Sequence, residues 1–89
     1  MRAVISVVGK DAVGILAKVS TICASHNANV IEVTQSVLQD MFAMIMLVDI
    51  TGLSCELKEL SGLMEEMGKA QGLSIHVMHE DIFNSMHRI

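Results

Sequence analysis

Proline, tryptophan and tyrosine are absent from this sequence, and phenylalanine occurs only twice. Proteins that read single-stranded RNA stack bases on aromatic side chains. Here Phe42 is the sole aromatic on a central strand, so that function class is excluded. Positive charge is also scarce, with six Lys and Arg against ten Asp and Glu and a net charge of −4. Such a balance gives no electrostatic grip on nucleic acid or an anionic membrane. Long apolar runs are missing too, because Lys, Asp, His, Glu or Gln interrupts each one before it reaches a membrane span. The opening Met1-Arg2-Ala3-Val4-Ile5 is too short for a signal peptide and reads directly as strand. Cys23 and Cys55 are single and distant, which predicts two reduced thiols in or near the core of a cytoplasmic protein.

What the chain has instead is apolar surface. Of its 89 residues, 52% are hydrophobic, more than so small a domain hides within itself, which predicts a partner, most simply a second copy. Ala3 to Val8 is apolar except for Ser6 and reads as a strand covered on both faces. Ile15, Val19, Ile22, Cys23 and His26 follow at helical spacing, with Leu16 widening the stripe, and His26-Asn27-Ala28-Asn29 ends that helix. From Asn29 to Gln39, Ile31, Val33 and Val37 alternate with Glu32, Thr34 and Ser36, the mark of a half-exposed strand. Gln39-Asp40 turns a hairpin into Met41–Ile50, apolar on both faces and therefore central.

Ser54 is the expected cap of a second helix, whose buried stripe is Leu57, Leu60, Met64 and Met67, closed by Gly68 and Gly72. Leu73 to Glu80 alternates as an edge strand. A short helix from Asp81 to Arg88 then offers Ile82, Phe83, Met86 and Ile89 to the sheet or to a partner. The order is βαββαβ. Right-handed crossovers make it an α+β, ferredoxin-like sandwich: one antiparallel four-stranded sheet, ordered 4-1-3-2, with both helices on one face. One domain, residues 1–80, carries a helical tail, 81–89.

The stretch Val7-Val8-Gly9-Lys10-Asp11-Ala12-Val13-Gly14-Ile15-Leu16 is a strand, a tight loop with two glycines, and a helix that starts at once. The first N–H groups of such a helix lack partners and its dipole is positive there, so it seats a carboxylate or phosphate. The plainer reading gives Gly9 and Gly14 to turn and packing, and Asp11 to capping. The loop has no Cys-x-x-Cys for a metallochaperone and no Arg to hold a phosphoester, and Lys10 reads as a solvated charge. His76 and His79, three apart on a strand, point to opposite faces. His79, Glu80 and His87 converge only if the last helix folds back, so no metal or cofactor is expected. No nucleophile–base pair stands out, and the chain is not expected to be an enzyme.

Strand 1 followed by Gly9-Lys10-Asp11-Ala12-Val13-Gly14-Ile15-Leu16, then Ala28-Asn29-Val30 opening strand 2, resembles an ACT domain. The resemblance spans residues 2–80 and is closest to small bacterial proteins made of one such domain, whose His-Glu-Asp-Ile-Phe tail it shares. It implies a regulatory, homo-oligomeric module that binds a small molecule, an amino acid above all, and signals to a partner protein. By the same resemblance Asp11, Ala12, Val13, Gly14 and Ile15 line the ligand site, and Asn29 completes it from the same or a paired subunit. The alternative is a ligand-free module for dimerisation or protein interaction.

Overall fold

Ala3, Ile5 and Val7 alternate with Val4, Ser6 and Val8, and this two-residue period decides which side of the sheet each side chain joins. The computed structural model describes residues 1–10 and 13–86. Its elements are β1 (Arg2–Gly9), α1 (Ile15–Ser25), β2 (Asn29–Leu38), β3 (Met41–Asp49), α2 (Leu57–Gln71), β4 (Ser74–His79) and α3 (Glu80–Met86). The sheet is antiparallel in the order β2-β3-β1-β4, as the polarity of the strands predicts. The fold is the ferredoxin-like sandwich, with one short helix added at its end.

Ala3, Ile5 and Val7 of β1 meet Phe42, Met44, Met46 and Val48 of β3 on the face covered by α1 and α2. The helices close this core with Ile15, Val19 and Cys23 from one and Leu60 and Met64 from the other. Cys23 has no exposed surface and burial pushes its thiol pKa up, so it stays protonated and inert. Cys55 packs partly against the same core. Phe42, the one aromatic on a central strand, is turned inward and buried.

Four local expectations are corrected. Ile31 does not share a face with Val33, because a bulge at Val30/Glu32 shifts the register of β2 and leaves Ile31 48% exposed while Val30 packs inward. Ser54 does not cap α2, whose N-cap is Glu56; the Ser54 N–H donates instead to the His26 carbonyl at 2.9 Å. Gly68 does not end α2. It lies one turn inside, where its missing side chain lets β4 approach; a Cβ there would stand 2.9 Å from both Ile75 Cγ1 and the Leu73 carbonyl. Gly9 is likewise a strand residue paired with Phe42, and a Cβ on it would fall within the Leu73 side chain.

Both helices end alike. Asn27 and Gly72 adopt φ of 60° and 72°, letting Ala28 N–H reach Cys23 O and Leu73 N–H reach Gly68 O, each at 2.8 Å. At the start of β1, the Met1 ammonium donates to Thr51 Oγ1 at 3.0 Å and the Ile50 N–H to the Met1 carbonyl at 2.9 Å. Thr51 N–H donates to Asp49 Oδ1 at 2.8 Å. That bond, helped by the nearby amino terminus and Arg2, holds the Asp49 carboxyl below the usual carboxylate range.

The opposite face of the sheet is apolar yet only partly covered. α3 lies against β1 and β4, anchored by Arg2 Nη2 to Glu80 Oε2 at 2.6 Å, and Val4 on this face is buried. Val8, Met41 and Ile45 remain 40–46% exposed. Within α3, Ile82 and Met86 are also exposed; Arg88 and Ile89 lie outside the described residues.

Two measurements follow from the packing. Gly62→Ala, on an open helix surface, should stabilise by about 1 kcal/mol through helix propensity. Gly68→Ala should destabilise by about 1–3 kcal/mol, since crowding against Leu73 and Ile75 outweighs that gain; urea unfolding of both variants checks the opposite signs. Asp49→Ala should lower the melting temperature at pH 7. A lowered folded-state pKa stabilises above the unfolded value and is lost as pH falls through the folded one. The gap between Asp49→Ala and the parent chain should therefore close below about pH 4, as thermal melts from pH 3 to 7 will read.

Candidate functional site

The loop between β1 and α1 stands at the Gly9–Phe42 end of the sheet, where strand 1 hands over to a helix within five residues. Gly14 occupies the N-cap position of α1 with φ 73°, a left-handed conformation that glycine adopts without strain. Among the described residues no side chain caps this terminus, and the space where a Cβ would stand on Gly14 is empty to 4 Å. The helix thus presents backbone donors and the positive end of its dipole to whatever approaches. Val13, beside it, is 88% exposed, whereas Ile15 turns inward and is 2% exposed. Ile15 serves the core and reaches a ligand only through its backbone. Asp11 and Ala12 lie outside the described residues. Lys10 is exposed.

Asn29 is exposed and opens β2, paired with Asp49, which is paired in turn with Arg2. Gly9, Phe42 and Val37 form the corresponding row at the other end. The loop and Asn29 are therefore separated by nearly the whole of β1, eight residues, roughly 20–25 Å. One chain cannot bring them to one ligand. Two chains can. A two-fold axis perpendicular to the sheet, placed at the β2 edge, would pair two β2 strands antiparallel and keep all helices on one side. Such a pairing would set Asn29 of one subunit toward the loop end of the other.

Asn29 also borders a concavity of about 510 Å³ beneath the end of α1, lined by Ser20, Ala24, Asn27, Ala28, Asn29 and Val30. Ser20 and Ala24 are absent from the sequence-predicted set. Their signal is a pair of small residues one helical turn apart, on a helix flank where larger side chains would fill the hollow.

The sequence reading finds no nucleophile–base pair, and here the structure adds one contact. Ser74 Oγ and His76 Nε2, two apart on β4 and so on one face, share a hydrogen bond of 3.1 Å. The pair is exposed, and among the described residues no carboxylate orients the ring, so the third member of a catalytic relay is missing. His76 and His79 face opposite sides of the sheet, beside Ser6 and Ala3. His87 lies outside the described residues, and the described ones hold no cluster of three metal-ligating side chains. No helix among them is long and apolar enough to cross a membrane.

Comparison with known proteins agrees with the fold. The sequence profile of the ACT domain matches residues 2–78. A UPF0237 protein of Clostridium perfringens is 46% identical over 89 residues, all of both chains. Another, from Methanococcus maripaludis, is 45% identical over 86 residues, 97% of this chain and 96% of that one, so relatives occur in archaea as well as bacteria. Among solved structures, an ACT domain protein from Streptococcus pneumoniae is 32% identical with a TM-score of 0.81, covering 93% of each chain. ACT domains are in general regulatory, ligand-binding modules. A profile match over nearly the whole chain, on the fold that the strand register builds, places this protein in the ACT domain family.

Proposed function

We propose that the protein is a homodimeric amino-acid sensor whose ligand sits between subunits, with the N-terminus of α1 from one and Asn29 from the other. The observation that carries this reading is the start of α1 at Gly14, which no side chain caps among the described residues and where the space about Gly14 is open. An amino-acid carboxylate fits those backbone N–H groups, as anions do at helix N-termini. Asn29 offers a side-chain carbonyl to the ammonium group, and Asp11 in the loop a carboxylate. Val13 and Val37, 88% and 69% exposed in the single chain, become apolar walls once the β2 edges meet. The bound dimer then presents a different surface to a partner protein, which is how a chain without chemistry of its own reports a concentration. Cytoplasmic amino acids are the ligand pool for a module of this kind.

Thermal unfolding against a panel of free amino acids, each at about 1–10 mM, tests the ligand class. A ligand at ~100 times its dissociation constant adds about 2.7 kcal/mol, several degrees in a domain of this size. Gly14→Leu and Asn29→Leu should each abolish the shift while the dimer persists. Mixing the two variants should restore about one site in four, because half the dimers are mixed and each of those holds one intact loop–Asn29 pair. Unchanged shifts in both variants would remove these residues from the site.

A second reading, a module for assembly alone, draws on the exposed Val8, Met41 and Ile45 of the uncovered sheet face. Sedimentation separates the two: Val37→Glu should weaken self-association through the β2 edge, and Ile45→Lys through the sheet face. Ligand sensing predicts that Val37→Glu disrupts both the dimer and the thermal shift, and that Ile45→Lys spares them.

A further inference from the structure

The open face of the sheet carries a ridge and a floor side by side. The ridge is α3, which rests on β1 and β4 and is tied down by the Arg2–Glu80 ion pair. No residue of this two-turn helix is buried. Ile82 and Met86, one turn apart and therefore on one side of it, are 55% and 66% exposed. Seven residues are too few for a helix to persist on propensity alone, so α3 depends on what packs against it. The floor is the bare part of the sheet. Met41 and Ile45 of β3 lie open there with Val8, and their neighbours on the same side, Ala43, Thr34 and Ser36, are small and uncharged.

The two surfaces fit each other. A two-fold axis lying between two copies of the face sets the α3 of each on the bare strands of its partner, so one contact is made twice, as an isologous interface requires. The two helices then share a single layer between two sheets, and an apolar stripe wider than one sheet covers is buried from both sides. Charge does not oppose the contact. None of Val8, Met41, Ala43, Ile45, Ile82 and Met86 is charged, and Arg2 and Glu80 neutralise each other within their own chain. Size favours it as well. The molecule is a slab, 36 × 33 × 19 Å across its Cα atoms, with the open face as one broad side. Four strands of about eight residues give that side a footprint of roughly 500 Å² before side-chain relief is counted. A stable dimer buries about 800 Å² of accessible surface on each partner, which is within reach of such a face.

We propose that the open face is an interface between two copies of this chain, with both α3 helices enclosed between the two sheets. Ile82 and Met86 of one subunit pack on Met41 and Ile45 of the other, and the reverse. The contact uses neither the loop, Asn29 nor the β2 edge, so it goes beyond the sensor reading and does not rest on it. Where the β2 edges pair as well, the two axes are perpendicular and the two contacts together make a tetramer.

Sedimentation equilibrium of the whole chain, with Ile45→Lys, Ile82→Glu, Val37→Glu and their combinations, tests this. All three residues are exposed in the single chain, so the variants should fold, and circular dichroism checks that they do. Ile45→Lys and Ile82→Glu should each weaken the face contact by about a hundredfold, because a lone charge is then pressed against an apolar surface. Mixed in equal amounts, these two variants should associate with each other, since the introduced charges are opposite and face one another across the interface. A folding defect in either chain would not be repaired by mixing. Val37→Glu should remain a dimer until Ile45→Lys is added to it. A parent chain that stays monomeric, association unchanged in both face variants, or a mixture no more associated than its components would each overturn the proposal. So would a Val37→Glu chain that is already monomeric, which would leave the β2-edge reading standing. Association lost in Ile45→Lys but unchanged in Val37→Glu would uphold the face contact and remove the β2 pairing instead.

Discussion

The pairing of β1 with β3, unbroken from Arg2–Asp49 to Gly9–Phe42, is the constraint on which the rest of the molecule depends. It sets two apolar strands side by side at the centre of the sheet and assigns every neighbouring side chain to a face. Because α1 and α2 are both connected across the same side, that face becomes the core and the other is left with Val4 covered and Ile45 in the open. The same pairing fixes the distance between the two ends of the sheet. The helix N-terminus at Gly14 and the amide of Asn29 cannot meet within one chain, whatever side-chain rotamers they adopt.

Polarity made most of this legible. Strands apolar on both faces belong in the middle and alternating strands at the edges, so the order of the sheet is legible in Ala3–Val8 and Met41–Ile50. Small deviations were not legible, because each is a decision of tertiary packing rather than of local propensity. The bulge at Ile31 costs one residue of register and saves Val30 for the core. Nothing in the run Val30-Ile31-Glu32-Val33 says which of the two β-branched residues is expelled. Gly68 reads like a helix stop, yet its role is set by Leu73 and Ile75 approaching from β4.

The site residues divide along the same line. A glycine just ahead of a helical stripe is a visible signal, but the sequence suggests the left-handed turn at Gly9, whereas Gly9 stays in β1 and Gly14 is the left-handed residue. Ile15 carries the same motif, but its side chain answers to the core, so motif membership alone did not separate backbone from side-chain roles. Ser20 and Ala24 escaped notice because small residues on a helix leave no periodic signature. The pairing of Ser74 with His76 was not legible because a two-residue spacing puts both on one face without fixing the rotamers that bring Oγ to Nε2.

A single domain of this size gains from placing its ligand between subunits. In the proposed arrangement the loop offers backbone donors and the Asp11 carboxylate, and the paired subunit the Asn29 amide and the apolar wall, so neither half alone encloses a zwitterion well enough to offset the entropy of binding. The complete site exists only in the dimer. Ligand binding and dimerisation must then be linked: whatever factor the ligand adds to the dimerisation constant, dimerisation adds to ligand affinity. No attached enzyme is required for such a coupling to carry information. In this proposal the concentration of an amino acid would be converted into the population of a dimer, and a partner that distinguishes the paired from the unpaired β2 edge would read it. The uncovered sheet face with Val8 and Ile45 stays outside the site in either state.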